Sequence, residues 1–220
     1  MVFIMKRKEI ILGALGIIVI VGVAFLLANI VHDYNVDSIN NENQSGNDNN
    51  GKQEEEKFKI DGEEVNFKTY RVDQSFFLNV PDTFVMLDEE TLKTKYNYNN
   101  RPELVFSSND DLERIFISTT NESMTDDELE EYLNNRIAGL VNMTVLDSGV
   151  YQRYDKTFAS LVATDANTYY NLRFFTLEDK LVTIEFNIPI GQYQEWEDVV
   201  NEVMDSICFN EDDIKKYSNK

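Results

Sequence analysis

The chain has 220 residues, with 20 basic against 40 acidic side chains and a formal charge of −20 at neutral pH. Phosphate affinity comes from clustered Lys and Arg, which are missing beyond the first nine residues, so nucleic-acid binding is excluded. One histidine, His32, and one cysteine, Cys208, exclude Ser-His and Cys-His nucleophiles, zinc-finger ligand sets and an internal disulfide.

In chain order, residues 1–9 form a short basic end carrying Lys6, Arg7 and Lys8, and residues 10–31 are an uncharged apolar run. As a helix that run would reach about 33 Å at about 1.5 Å per residue, enough to cross a hydrocarbon core of roughly 30 Å. It is too long for a cleaved signal peptide and ends in no small-x-small site, and no cysteine follows it to take a lipid. The basic flank places the N-terminus in the cytoplasm, making the chain a single-pass protein of the cell membrane with everything after about residue 32 outside.

Residues 32–57 hold seven asparagines and the run Glu54-Glu55-Glu56, a composition that cannot build a core, so a flexible tether is expected. Within it, residues 46–53 match seven of the eight positions of a phosphate-binding loop, but Gln53 stands where a Ser or Thr must hold magnesium. No flanking strand and helix would aim backbone N–H groups at phosphate there.

Residues 58–209 contain 22 of the 26 aromatics and are sized for a single core. Extended segments are expected at 57–60, 65–72 and 75–80, with a turn at Asp61-Gly62 and a stop at Pro81, then at 104–107 and 114–119. Thr125 and Glu128 form a capping box that opens a helix, whose apolar face is Leu129, Tyr132, Leu133, Ile137, Leu140 and Val141. Strands follow at 144–154, 157–164 and 169–176, then a tight connection at Glu178-Asp179-Lys180 and a strand at 181–190. In that last strand Val182, Ile184, Phe186 and Ile188 alternate with Thr183, Glu185 and Asn187. A final helix over 192–208 buries Trp196, Val199, Val200, Val203, Met204 and Ile207, and Cys208 continues that face as a buried, inert thiol. Residues 210–220 read as a polar tail. The order of elements describes an α+β domain with an antiparallel sheet.

Several stretches carry a resemblance: Phe76-Phe77-Leu78-Asn79-Val80-Pro81-Asp82-Thr83-Phe84, the capped middle helix, the strand pair ending Ile188-Pro189, and the terminal pattern Trp196, Val199-Val200, Val203, Ser206-Ile207. Over residues 65–209 the chain resembles the PsbP/Mog1-like family. That resemblance implies an antiparallel sheet sandwiched by helices and an accessory or binding role, and it carries no catalytic motif onto any residue. The polar outer side of 181–190 departs from it and suits an edge or half-covered strand.

Ser-x-x-Lys and Gly-x-Ser-x-Gly are absent, and the acid-rich stretches Asp110-Asp111, Asp126-Asp127-Glu128 and Glu211-Asp212-Asp213 lack the spacing of a calcium loop. They read as solvated surface or helix starts, so no metal, cofactor or catalytic residue is assigned. Tyr96 and Tyr98 share a side if 95–99 is extended, with Lys93, Lys95 and Arg101 nearby. Tyr96, Tyr98 and Arg101 therefore form the candidate binding surface, against the plainer reading in which the tyrosines cover the sheet while the basic groups stay wet. The leading expectation is a non-enzymatic, membrane-tethered, extracytoplasmic binding or accessory module. Its expected partner is a basic protein; an anionic cell-wall polymer is disfavoured by the acidic charge. The alternatives are a wall hydrolase using paired carboxylates, and a sensory or assembly subunit acting through its transmembrane helix.

Overall fold

In a computed structural model, residues 37–39, 58–99 and 101–218 are described. The expected membrane segment at 10–31 and most of the 32–57 tether lie outside them.

The strands are β1 (Asp37–Ile39), β2 (Lys59–Ile60), β3 (Glu63–Glu64), β4 (Phe67–Val72), β5 (Phe76–Pro81), β6 (Val85–Met86), β7 (Leu104–Ser107), β8 (Arg114–Thr120), β9 (Thr144–Arg153), β10 (Lys156–Thr164), β11 (Thr168–Leu177) and β12 (Lys180–Pro189). The helices are α1 (Glu89–Lys95), α2 (Asp126–Ala138), α3 (Tyr193–Asp205) and α4 (Glu211–Ser218). A seven-stranded sheet runs in the order β6-β7-β8-β12-β11-β10-β9, beside a three-stranded sheet β1-β4-β5 and the small hairpin β2-β3. Every pairing is antiparallel. The domain is α+β, as its element order implies.

Turn chemistry sets the hairpins. Tyr154 and Asp155 both adopt positive φ, the type I′ geometry that matches the twist of β9 and β10. Asp61 and Gly62 do the same between β2 and β3. The capping box of α2 forms: Thr125 Oγ1 accepts from Glu128 N, and the Glu128 carboxylate accepts from Thr125 N at 2.8 Å. The helix stops at Gly139; Leu140 still packs against the cluster that α2 covers, but Val141 does not continue the apolar face. Val141 is 77% exposed, a correction to the expected pattern.

Alternation along β12 gives the large sheet two chemically different faces. Val182, Ile184, Phe186 and Ile188 point inward, where α3 supplies Trp196, Val199, Val200, Val203 and Met204 and β5 supplies Phe76, Leu78 and Val80. Phe77 and Cys208 exchange backbone hydrogen bonds of 2.7 and 3.1 Å, which anchors the end of the α3 segment to β5. On the outer face α2 packs Leu129 and Leu133 on Ala159, Leu161, Leu172, Phe174 and Leu181. β12 lies between β8 and β11 and is therefore no edge strand, although its outer side is only half-covered.

The chain after Phe209 is helical. Asn210 Oδ1 accepts from Asp213 N at 2.9 Å, the three acids occupy the first turn, and Tyr217 donates to the Glu202 carboxylate on α3. The acid run Glu211-Asp212-Asp213 is thus a helix start.

Candidate functional site

α1 was not foreseen. Asp88 caps it by accepting from Thr91 N at 2.8 Å, Glu89 and Glu90 occupy its first turn, and Lys93 and Lys95 its last, with Glu89 and Lys93 paired along one side. It buries Leu92, and Lys95 at its end pairs with Asp111 of the β7–β8 loop at 2.9 Å. Chain leaving it brings Tyr96 onto Phe116 of β8, ring centroids 5.8 Å apart, and Tyr98 edge-on to Tyr96 at 6.2 Å. The two tyrosines do meet. Arg101 is half-buried and acts toward the start of α1: the Glu89 carboxyl is held low chiefly by its hydrogen bond with Lys93, with Arg101 adding to the effect.

α2 covers the β9–β10 end of the outer face and the chain leaving α1 reaches its β8 end, and the register places the polar side of β12 between them. Phe116, Glu185 and Leu172 stand in line across β8, β12 and β11, flanked by the line Ser118, Thr183, Phe174 and the line Arg114, Asn187, Tyr170. From the α2 side Tyr132 packs on Phe174 at 5.4 Å. A strip of Thr183, Glu185 and Asn187 is therefore bordered by aromatic rings on both sides.

Glu185 dominates its electrostatics. Burial raises its carboxyl above the ordinary glutamate value, opposed by a 2.7 Å hydrogen bond from Asn187 Nδ2 and by the charge of Arg136 on α2. The Tyr98 phenol is pushed up by burial and then by Tyr96 and Glu185. Burial raises Tyr170 as well; its hydrogen bond to Asp165 adds to this, and Glu185 contributes further. One carboxylate is thus felt by tyrosines on both borders. Asn187 Oδ1 is buried with no donor among the described residues. The strip offers a carboxylate and an unsatisfied carbonyl oxygen, both acceptors.

Two other acidic places differ. In the β7–β8 loop, burial would raise Asp111, but hydrogen bonds from Arg114, Lys95 and Ser107 outweigh it and hold the carboxyl far below the usual range. Next to it, burial raises Glu113, and Asp110 adds repulsion while itself held low by Ser108. A raised acid beside a lowered one is what glycoside hydrolysis uses, but there the carboxyls stand about 5–9 Å apart across a sugar. Here both engage the single Ser108 hydroxyl inside one tight loop, which leaves no room for one. The second place is an open cleft of about 520 Å³ bounded by Asp126, Gln152, Asp155, Lys156, Thr176 and Glu178. Among the described residues no cluster of three or more His, Cys, Asp or Glu is disposed to hold a metal ion.

No protein-family model and no curated protein matches the sequence. Among solved structures the chain is similar to cyanobacterial PsbP (CyanoP) from Synechocystis sp. PCC 6803, at 12% identity and a TM-score of 0.45, over 62% of this chain and 87% of that one. It is also similar to PA94, a protein of unknown function from Pseudomonas aeruginosa, at 10% identity and a TM-score of 0.37, over 63% and 93%.

Of the expected surface, Tyr96 and Tyr98 border the strip. Glu185, Asn187, Phe116, Tyr170 and Arg136 were missed as site residues. The available signal was Glu185 itself, a charged residue in the middle of the most regularly apolar strand of the chain.

Proposed function

We propose that the domain is a binding module rather than an enzyme, tethered to the membrane by residues 10–31, and that it captures a basic side chain of a protein partner on the β12 strip. Glu185 carries the reading. A buried carboxyl at mid-sheet, with no Lys or Arg in ion-pair contact among the described residues, is costly to ionise in isolation. An incoming ammonium or guanidinium would compensate that charge and could donate to Asn187 Oδ1, while the rings of Tyr98 and Tyr96 offer π-faces to the same cation. The overall charge of −20 favours encounter with basic partners and disfavours anionic lipids and wall polymers, and salt screens the attraction over about 8 Å.

The test uses the full chain in lipid nanodiscs titrated with a short Lys/Arg-rich peptide, with an Asp/Glu-rich peptide as control. Only the basic peptide is expected to bind, more weakly as salt rises. Glu185→Gln should abolish binding and Tyr98→Ala should weaken it, while Arg101→Ala leaves it unchanged. Equal affinity of wild type and Glu185→Gln would retire the strip. Release of reducing sugar from purified cell wall by the wild type would replace a binding module with a hydrolase.

A further inference from the structure

The two edges of the seven-stranded sheet are built differently. One is β6, only two residues long and so a poor template for further pairing. The other is β9, ten residues long, with no proline and no lysine. Sheet proteins normally blunt long edges with such residues or with a bulge; β9 has neither residue, and its one bulge, at Leu146, lies beyond the regular stretch Asp147–Arg153. Its exposed side chains include Val145 at 36%, Leu146 at 50% and Val150 at 38%. Residues 141–154 carry one acid, Asp147, and one base, Arg153, and are neutral in a chain of −20.

The direction of the free backbone groups follows from the turn. In a two-residue type I′ hairpin the flanking residues Arg153 and Lys156 form a hydrogen-bonded pair, and the pairs then alternate. Tyr151 and Gly149 therefore bond to β10, while the N–H and C=O groups of Gln152, Val150 and Ser148 point away from the sheet. Any strand added at this edge must pair with those three residues.

We infer that β9 is a self-association edge, on which a second copy of this chain docks its own β9 antiparallel about a two-fold axis at Val150. In that register Val150 faces Val150 of the second copy and Ser148 faces its Gln152. All outward groups meet outward groups, giving about six backbone hydrogen bonds. Asp147 then stands opposite Arg153 of the other copy. Arg153 already donates to the Ile207 carbonyl at 2.9 Å and lies 3.6 Å from Asp205, and Asp147 joins that group from across the edge. A register centred on Ser148 would set Val150 opposite Leu146 at the bulge, and one centred on Gln152 would set it opposite Tyr154 in the turn, so centring on Val150 alone pairs all three outward residues with one another. Val145 and Val150 lie on the α2 side of the strand, where the α2 of the second copy would cover them. The inference is independent of the β12 strip.

The experiment is sedimentation velocity and bis-maleimide cross-linking of the full chain in detergent micelles. Val150→Pro removes only an outward N–H, so the β9–β10 ladder is retained. Val150→Lys leaves the backbone intact and places two cations on the dyad. Both should raise the dimer dissociation constant on the order of tenfold or more, with unchanged thermal unfolding of the domain. Dimerisation of the wild type should strengthen with salt, as repulsion between two acidic chains is screened, opposite to capture of a basic peptide. Val150→Cys, whose only companion thiol is buried Cys208, should cross-link across the dyad, while Glu130→Cys on α2 should not. A wild type that stays monomeric, or a dimer that persists in both Val150→Pro and Val150→Lys, overturns the inference.

Discussion

Asn187 Nδ2 donates to Glu185 Oε1 at 2.7 Å along the outer face of a central strand, so a carboxylate is held at mid-sheet by a neutral amide. An amide compensates a buried charge less well than a cation does, and the Glu185 carboxyl is accordingly raised by burial. A group whose folded value lies above its unfolded one binds its proton more tightly in the native state. Its stabilisation is fully present below the unfolded glutamate value, about 4.3, and is lost as pH rises through the raised folded value. Glu185→Gln, which keeps an acceptor for Asn187, is expected to be more stable than wild type at neutral pH, with the difference closing below about pH 4. Urea unfolding from pH 4 to 7.5 checks this, and parallel curves for the two proteins would show that burial of the carboxylate is not felt.

Trp196 lies against Phe84 and Phe186, with ring centroids 5.8 and 6.1 Å away, and is 9% exposed. Trp196→Ala is expected to cost about 3–5 kcal/mol, the usual range for truncating a buried aromatic. A loss under about 0.5 kcal/mol in denaturant unfolding would be that of a surface position.

Thr125 caps α2 through its hydroxyl, and Thr125→Ala should cost about 1 kcal/mol. The loss should be smaller in a Glu128→Ala background, because half of the capping box is then already gone. Equal losses in the two backgrounds would mean that the two side chains act independently.

Cys208 is buried at the bridge to Phe77. It should resist a water-soluble thiol reagent in native buffer and react fully in urea, with the rate following global unfolding. Fast native labelling would mean that the end of the α3 segment detaches from β5.

The capping box of α2 and the apolar face of α3 were legible because both depend on residues three or four apart, within one helical turn. α1 was not, being seven residues long with a single buried apolar side chain, Leu92; its signal lay in Asp88, Glu89 and Glu90 followed by Lys93 and Lys95. The face of α2 was overextended to Val141 because periodicity does not register that the helix stops at Gly139.

By itself the sequence determined which residues of β12 face inward, since side chains alternate with a period of two wherever the strand lies. It could not determine that this strand is central. The hairpin with β11 was local, but strand order also depends on pairings such as Ile184 with Ile117, formed between segments far apart in the chain that no local pattern encodes. Only the tertiary structure turned the polar side of β12 from an edge into a strip between α2 and the chain after α1. It set Glu185 beside aromatic rings from β8, β11 and the chain after α1, because burial and charge at a residue depend on what other segments bring to it.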